Sequence, residues 1–234
     1  MTAVEPAIEI RRLVKTFVVH AHGGVELAVL RDLNLTVYPG ECVALRAPSG
    51  AGKSTLLRTI YANYKPQAGT IRVRHADGNI DMVTAEPRHV LAVRRRTIGY
   101  VSQFLRAIPR VPTVEVVMEP LRALGVAAKP AAARARDLLM RLGIPERLWS
   151  LSPVTFSGGE QQRVNVARGF IAELPILLLD EPTASLDVAS RDRVVALIRE
   201  ARERGGTIVG IFHDADVRDA VATRVVDLAD LSAA

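Results

Sequence analysis

Residues 42–55, CVALRAPSGAGKST, decide the fold. The apolar run 42–45 reads as a buried strand and residues 48–52 as a glycine-rich loop. Leu56, Leu57, Ile60 and Tyr61 then share one face of a helix. Strand, loop and helix in that order make a phosphate cradle. Gly50 and Gly52 let the backbone turn tightly, so that loop 48–52 (Pro48, Ser49, Gly50, Ala51, Gly52) wraps a phosphate chain with its amides. The helix that begins with Lys53, Ser54 and Thr55 adds its positive end. Lys53 brings a point charge to the β- and γ-phosphates, and the Ser54 hydroxyl can ligate Mg²⁺. The pattern G-x-x-x-x-G-K-[ST] has glycine first, where this chain has Ala47. A methyl group is tolerated there if the local φ is negative and costly if it is positive.

A second run completes the chemistry. Residues 176–182, ILLLDEP, read as an aliphatic strand ending in two carboxylates. In an open α/β sheet the carboxyl ends of strands are where ligands bind. There Asp180 would hold Mg²⁺ and Glu181 would accept a proton from the attacking water. The stretch 156–164, FSGGEQQRV, places Ser157, Gly158 and Gly159 before a helix, which is a second anion site at a helix N-terminus. His213, in GIFHD, ends a buried strand, and a histidine there can hydrogen-bond a γ-phosphate oxygen. His20, His22, His75 and His89 fall in loop-like segments with no role, and His20-x-His22 is too little for a metal site.

The 234 residues suit one α/β domain with room for an inserted subdomain. A single cysteine, Cys42, excludes an internal disulfide, fits a reducing compartment and reads as a small buried hydrophobe. The first residues lack a signal-peptide layout, and no apolar run is long enough to span a bilayer. The expectation is a cytoplasmic protein with no membrane insertion, reaching a membrane only through a partner. The net charge of +6 is scattered, apart from Arg94–Arg96 and the arginines of 134–147, and aromatic residues are few. That pattern speaks for a solvated basic face and against nucleic acid.

Along the chain, the first hundred residues read mostly as strands: Leu33, Leu35 and Val37 alternate, as do Ile71 and Val73, and 98–101 is a short strand. Segments 16–28 and 75–90 read as loops or insertions, and the alanine-rich stretch 126–135 as a surface connection. Helices are expected from about 112 to 172 and around Val194–Ala201, the latter closed by Gly205-Gly206. PILLL and TIVGIF read as strands buried on both faces of a parallel sheet.

Taken in order, these motifs resemble the ATP-binding cassette (ABC) ATPases over nearly the full chain. PSGAGKST is similar to their Walker A loop, ILLLDEP to Walker B, and FSGGEQ to the signature motif LSGGQ, with Phe156 and Glu160 as departures. Gln103 looks like the Q-loop glutamine that contacts Mg²⁺ and the water, residues 185–187 (SLD) like the D-loop, and His213 like the switch histidine. Phe17, in KTF, lies where the family stacks an aromatic ring on adenine. The resemblance implies an α/β P-loop NTPase across 1–234, with a RecA-like core, an N-terminal antiparallel β subdomain and an inserted helical subdomain over about 105–170. It implies ATP and Mg²⁺ as ligands, catalytic roles for Glu181, His213 and Gln103, and Mg²⁺ contacts from Ser54, Gln103 and Asp180. It also implies a head-to-tail dimer, with itself or a sister subunit. There Ser157, Gly158, Gly159, Glu160 and Asp187 of one copy cover the ATP on the Walker A loop of the other.

Text beyond these motifs is similar to one branch, the ATP-binding subunits of the bacterial carbon–phosphorus lyase system. The stretches are LLRTIYANYKP, VSQFLRAIPR, VEVVMEPL, PERLW and VGIFHD. That branch implies a non-transport role supporting formation of α-D-ribose 1-methylphosphonate 5-triphosphate from ATP and methylphosphonate, with the lyase core complex as partner. The alternative is the ATPase subunit of a lipoprotein-release or macrolide-export type transporter. Its pattern L-x-P-x-x-T-V-x-E-N-V is met here by Pro112-Thr113-Val114, but with Arg106 and Arg110 upstream and no asparagine before Val116.

Overall fold

The computed structural model describes residues 4–19, 24–76 and 78–231. Its elements begin with β1 (Ile8–Val19), β2 (Val25–Val37), β3 (Cys42–Arg46), α1 (Lys53–Ile60), β4 (Ala68–His75), β5 (Gly78–Asp81), α2 (Pro87–Arg96) and β6 (Ile98–Val101). The helices α3 (Thr113–Ala123), α4 (Ala128–Arg141) and α5 (Gly158–Phe170) follow. The chain ends with β7 (Ile176–Asp180), α6 (Val188–Glu203), β8 (Thr207–Ile211), α7 (Ala215–Val221) and β9 (Arg224–Asp227).

The strands form two sheets. One is antiparallel, in the order β2-β1-β4-β5; the other has the order β6-β7-β8-β3-β9, and its pairs are parallel. Strand periodicity explains the unbroken apolar runs of the parallel sheet. Successive side chains point to opposite faces, so a strand covered on both sides needs an apolar residue at every position. Leu177 and Leu179 of β7, Ile208 of β8 and Cys42 and Ala44 of β3 pack into one core, with α3, α4, α5 and α6. Ile176 and Leu178, Val209 and Ile211, and Val43 and Leu45 pack into the other, with α1 and the antiparallel sheet. Burial pushes the Cys42 thiol up to about 12, so it stays a neutral, unreactive core group.

The parallel register aligns the carboxyl ends that carry function. Val101 of β6 pairs with Leu179, Asp180 of β7 with Ile211, and Ala44 of β3 with Gly210. The segments that leave these strands therefore open on one edge of the sheet. Gln103 lies just past β6, Glu181 just past β7, His213 just past β8 and loop 47–52 just past β3.

Several expectations are corrected. Segment 16–28 is not a loop: β1 runs to Val19 and β2 begins at Val25, as the two arms of an antiparallel ladder. The first residues of β2 are exposed on both faces, so they lack the alternation that marks a strand. Segment 75–90 ends β4 and holds β5 and the start of α2, so His75 lies on a strand and His89 on a helix. The side chain of α2 that is buried is Val93, too little to show a helical stripe. The alanine-rich stretch is mostly α4. Pro130 falls in its first turn, where no helical amide bond is lost, and Ala131 and Ala135 are buried. The short α7 and β9 extend the chain beyond the strand that His213 follows. His20 and His22 lie outside the described residues.

Candidate nucleotide-binding site

The loop after β3 is built for close approach. Gly52 is the N-cap of α1 and is left-handed at φ 98°, and a Cβ there would stand 2.6 Å from Val29 Cγ1. Gly50 is also left-handed, at φ 78°. Ala47 is not among the left-handed residues, so its methyl group is accommodated and the departure from the loop pattern carries no backbone strain. Pro48, Ser49 and Gly50 are exposed, as an open cradle requires. The Lys53 ammonium donates to Ala47 O at 2.7 Å and Pro48 O at 3.0 Å, which closes the loop over the lysine.

The two motifs meet directly. Ser54 Oγ donates to Asp180 Oδ1 at 2.8 Å across 126 residues of chain. Asp180 is fully buried, and its Oδ2 accepts from the Tyr100 hydroxyl at 3.1 Å. Beside it, Glu181 has φ 54°, a left-handed conformation rare outside glycine. Two hydrogen bonds hold that strained turn: Glu181 N donates to Ile211 O at 3.1 Å, and Gln162 Nε2 donates to Glu181 O at 3.2 Å. The turn ends the strand alternation directly after Asp180, so the adjacent carboxylates are not committed to opposite faces.

A second layer of buried amides backs this edge. Gln162 and Asn165 of α5 are 4% exposed. The Asn165 side chain donates to Ser102 O, next to Gln103, and to Gln162 Oε1 at 3.4 Å. The helix that carries the glycine pair thus touches both the Gln103 segment and the Glu181 turn. Sequence reasoning missed Tyr100, Gln162 and Asn165. The available signal was a polar group at a position the apolar pattern assigns to the core.

The second anion site is differently equipped from the expectation. Ser157 is the N-cap of α5, and Gly158 and Gly159 are its first helical residues rather than a turn before it. Ser157 Oγ accepts from Glu160 N at 3.4 Å and donates to Glu160 Oε2 at 2.7 Å, while Ser157 N donates to the same carboxylate at 3.0 Å. This is a capping box. The Ser157 hydroxyl bond holds the Glu160 carboxyl below the usual carboxylate range, so a negative charge sits beside the exposed amides. Gly159 packs closely on the neighbouring turn: a Cβ there would lie 3.1 Å from Ser185 O, and Ser185 is itself left-handed at φ 62°.

The remaining expected residues are spread around this edge. Asp187 is the N-cap of α6, accepting from Ser190 N at 2.7 Å, and is exposed. That backbone bond is the main reason its carboxyl lies below the ordinary range. His213 and Gln103 have no described side-chain hydrogen bond; His213 is exposed and Gln103 half-buried. Asp214, after His213, caps α7 and pairs with Arg191. Phe17 is not joined to the loop by any described contact. It lies on β1, edge-on to Tyr64 at 5.1 Å, with the Lys15 ammonium 4.7 Å from its ring.

The donor set fits Mg²⁺ bound together with a triphosphate. A hydroxyl and a carboxylate, both hard oxygen donors, stand 2.8 Å apart beside a glycine-rich loop and a lysine. Among the described residues no group of three His, Cys, Asp or Glu side chains is placed to hold a metal. Among those residues, no helix is long and apolar enough to cross a membrane.

Comparisons with known proteins agree with this geometry. The chain is 36% identical over 208 residues to the macrolide export ATP-binding/permease protein MacB of Salmonella typhimurium, a match covering 89% of this chain and 31% of that protein. The chain thus spans about a third of that relative's length. It is 38% identical over 198 residues to the arginine transport ATP-binding protein ArtP of Haemophilus influenzae, covering 84% and 81% of the two chains. Among solved structures, the dimeric post-hydrolysis ATP-binding cassette MJ0796 bound to ADP and Pi superposes with a TM-score of 0.85 at 30% identity, covering 94% and 93% of the chains. The profile of the family described as "ABC transporter" matches residues 30–184. The chain belongs to the ABC transporter family, as one of its α/β P-loop ATPase cassettes.

Proposed function

We propose that this chain hydrolyses ATP as one half of a head-to-tail pair of cassettes. The observation that carries this is the 2.8 Å bond between Ser54 and Asp180, which unites the phosphate loop with the end of the aliphatic strand. Pro48 to Thr55 wrap the triphosphate, and the Lys53 ammonium offsets its charge. Ser54, Asp180 and Gln103 hold Mg²⁺, which when bound neutralises charge on the β- and γ-phosphates. Glu181 takes a proton from the attacking water, and His213 donates to a γ-phosphate oxygen. Ser157, Gly158, Gly159, Glu160 and Asp187 act on the nucleotide of the partner copy. The dimeric form of the MJ0796 cassette supports that pairing. ATP then favours the closed pair, and hydrolysis releases it. Phe17 is proposed as the adenine platform on position in the sequence alone.

For the process served, we propose support of the phosphonate carbon–phosphorus lyase system, in the cytoplasm, as a single domain with α3–α5 as its helical insertion. The support is textual: stretches such as LLRTIYANYKP, VSQFLRAIPR and PERLW resemble that branch and exceed what ATP chemistry requires. A second reading, a macrolide-export or lipoprotein-release type transporter subunit, is favoured by the named relatives. At 36% and 38% identity, a macrolide exporter and an arginine transporter support the transporter reading better than the phosphonate one, since neither is a phosphonate-system protein. The first part of the segment that separates the readings is exposed. Phe104 and Ile108 are 72% and 73% accessible, interleaved with exposed Arg106 and Arg110. Co-purification of the tagged chain from phosphate-starved cells tests the choice. Capture of soluble phosphonate-system subunits is expected; capture of membrane permease subunits would establish the transporter reading instead.

A further inference from the structure

Tyr100 has no part in the reading above, yet it holds the carboxylate on which that reading depends. Asp180 has two oxygens, and Ser54 occupies Oδ1. The hydroxyl of Tyr100, from the neighbouring strand β6, occupies Oδ2 at 3.1 Å. A carboxylate rotates softly about its last torsion, because a terminal sp³–sp² bond has broad minima. One hydrogen bond leaves that rotation largely free, whereas two donors on opposite oxygens fix it. Tyr100 is itself held. Its ring stacks on Tyr61, with centroids 5.1 Å apart and planes at 27°, and the Arg94 guanidinium lies 4.6 Å from the Tyr61 centroid. Arg94 is anchored in turn, donating to Tyr61 O at 2.8 Å and Asn63 Oδ1 at 3.1 Å.

We propose that Tyr100 is a positioning residue for the metal. Its hydroxyl sets the rotation of the Asp180 carboxylate so that Oδ1 is presented, beside the Ser54 hydroxyl, to the divalent cation that accompanies the nucleotide. This rests on the reading of Ser54 and Asp180 as the cation pair. Partners that orient a metal ligand typically change metal affinity by about 10- to 100-fold when removed, and an oxygen-ligated ion that keeps several waters belongs at the low end.

The test uses Mn²⁺ as probe, its binding followed by electron paramagnetic resonance in the presence of a non-hydrolysable ATP analogue. Tyr100→Phe keeps the ring stack and deletes only the hydroxyl. It should weaken Mn²⁺ binding about 10-fold, while leaving metal-free nucleotide binding and the melting temperature of the unliganded protein near wild type. Asp180→Asn serves as reference and should weaken Mn²⁺ binding further. Adding Tyr100→Phe to Asp180→Asn should then cost nothing more, because the oriented carboxylate is gone. Wild-type Mn²⁺ affinity in Tyr100→Phe with a clear loss in Asp180→Asn overturns the role of Tyr100 and leaves the cation pair standing. Wild-type affinity in both variants overturns the cation pair and the proposal with it.

Discussion

Lys53→Ala is expected to weaken ATP binding roughly 10- to 100-fold, the loss that follows when a charge-assisted bond worth about 1.5–3 kcal/mol is removed. Lys53 is the ammonium on the phosphate loop, and its stem starts α1, so its head stays near the mouth of the cradle. The substitution also removes the bonds to Ala47 O and Pro48 O, which brace the loop. Both effects act in the same direction. The fold should survive, because Lys53 lies outside both hydrophobic cores. Equilibrium titration with a fluorescent ATP analogue checks this. Unchanged affinity would mean that the nucleotide does not rest on this loop.

Glu181→Gln is expected to separate binding from turnover. The amide preserves shape and the backbone bonds to Ile211 and Gln162, so the strained turn at φ 54° should persist. It removes the proposed proton acceptor. Hydrolysis should fall by roughly 10²-fold or more, the usual contribution of a general base, while ATP still binds. A variant that binds but does not turn over should also accumulate the closed pair. Full turnover measured by phosphate release would remove Glu181 as the base.

The parts of this molecule that were legible in its sequence are those where one physical demand acts alone. Strands β7 and β8 read directly because both faces are buried, which forces an uninterrupted apolar run. The loop 47–55 read directly because close backbone approach requires glycine at Gly52, where a side chain would collide with Val29. The elements that escaped are those with mixed demands. The first residues of β2 are exposed on both faces, so hydrophobic alternation fades while the ladder with β1 continues. Helix α2 buries Val93 and ends in Arg94–Arg96, a cationic last turn that suits the helix dipole but reads as a charge run. Helix α4 opens with a proline that its first turn accepts.

The candidate site divides in the same way. Asp180 and Ser54 were identifiable from motif text, and the structure brings them together. Tyr100 was hidden because its partner lies on a neighbouring strand, a relation set by register and not by sequence distance. Glu160 was visible as a departure from the signature motif. Its consequence, a charged capping box on the very serine expected to meet phosphate, required coordinates.

In the proposed pair the nucleotide is held between two copies, with the loop of one facing Ser157 of the other. Analytical ultracentrifugation of Glu181→Gln, with and without Ser157→Arg, tests it most directly. Mg²⁺ and ATP should convert the single variant from monomer to dimer. The double variant should bind ATP equally well yet stay monomeric, since an arginine at the exposed cap of α5 blocks the approach of the second copy. A double variant that dimerises as readily as the single one would contradict the claim, as would a strictly monomeric wild-type preparation that hydrolyses ATP at full rate.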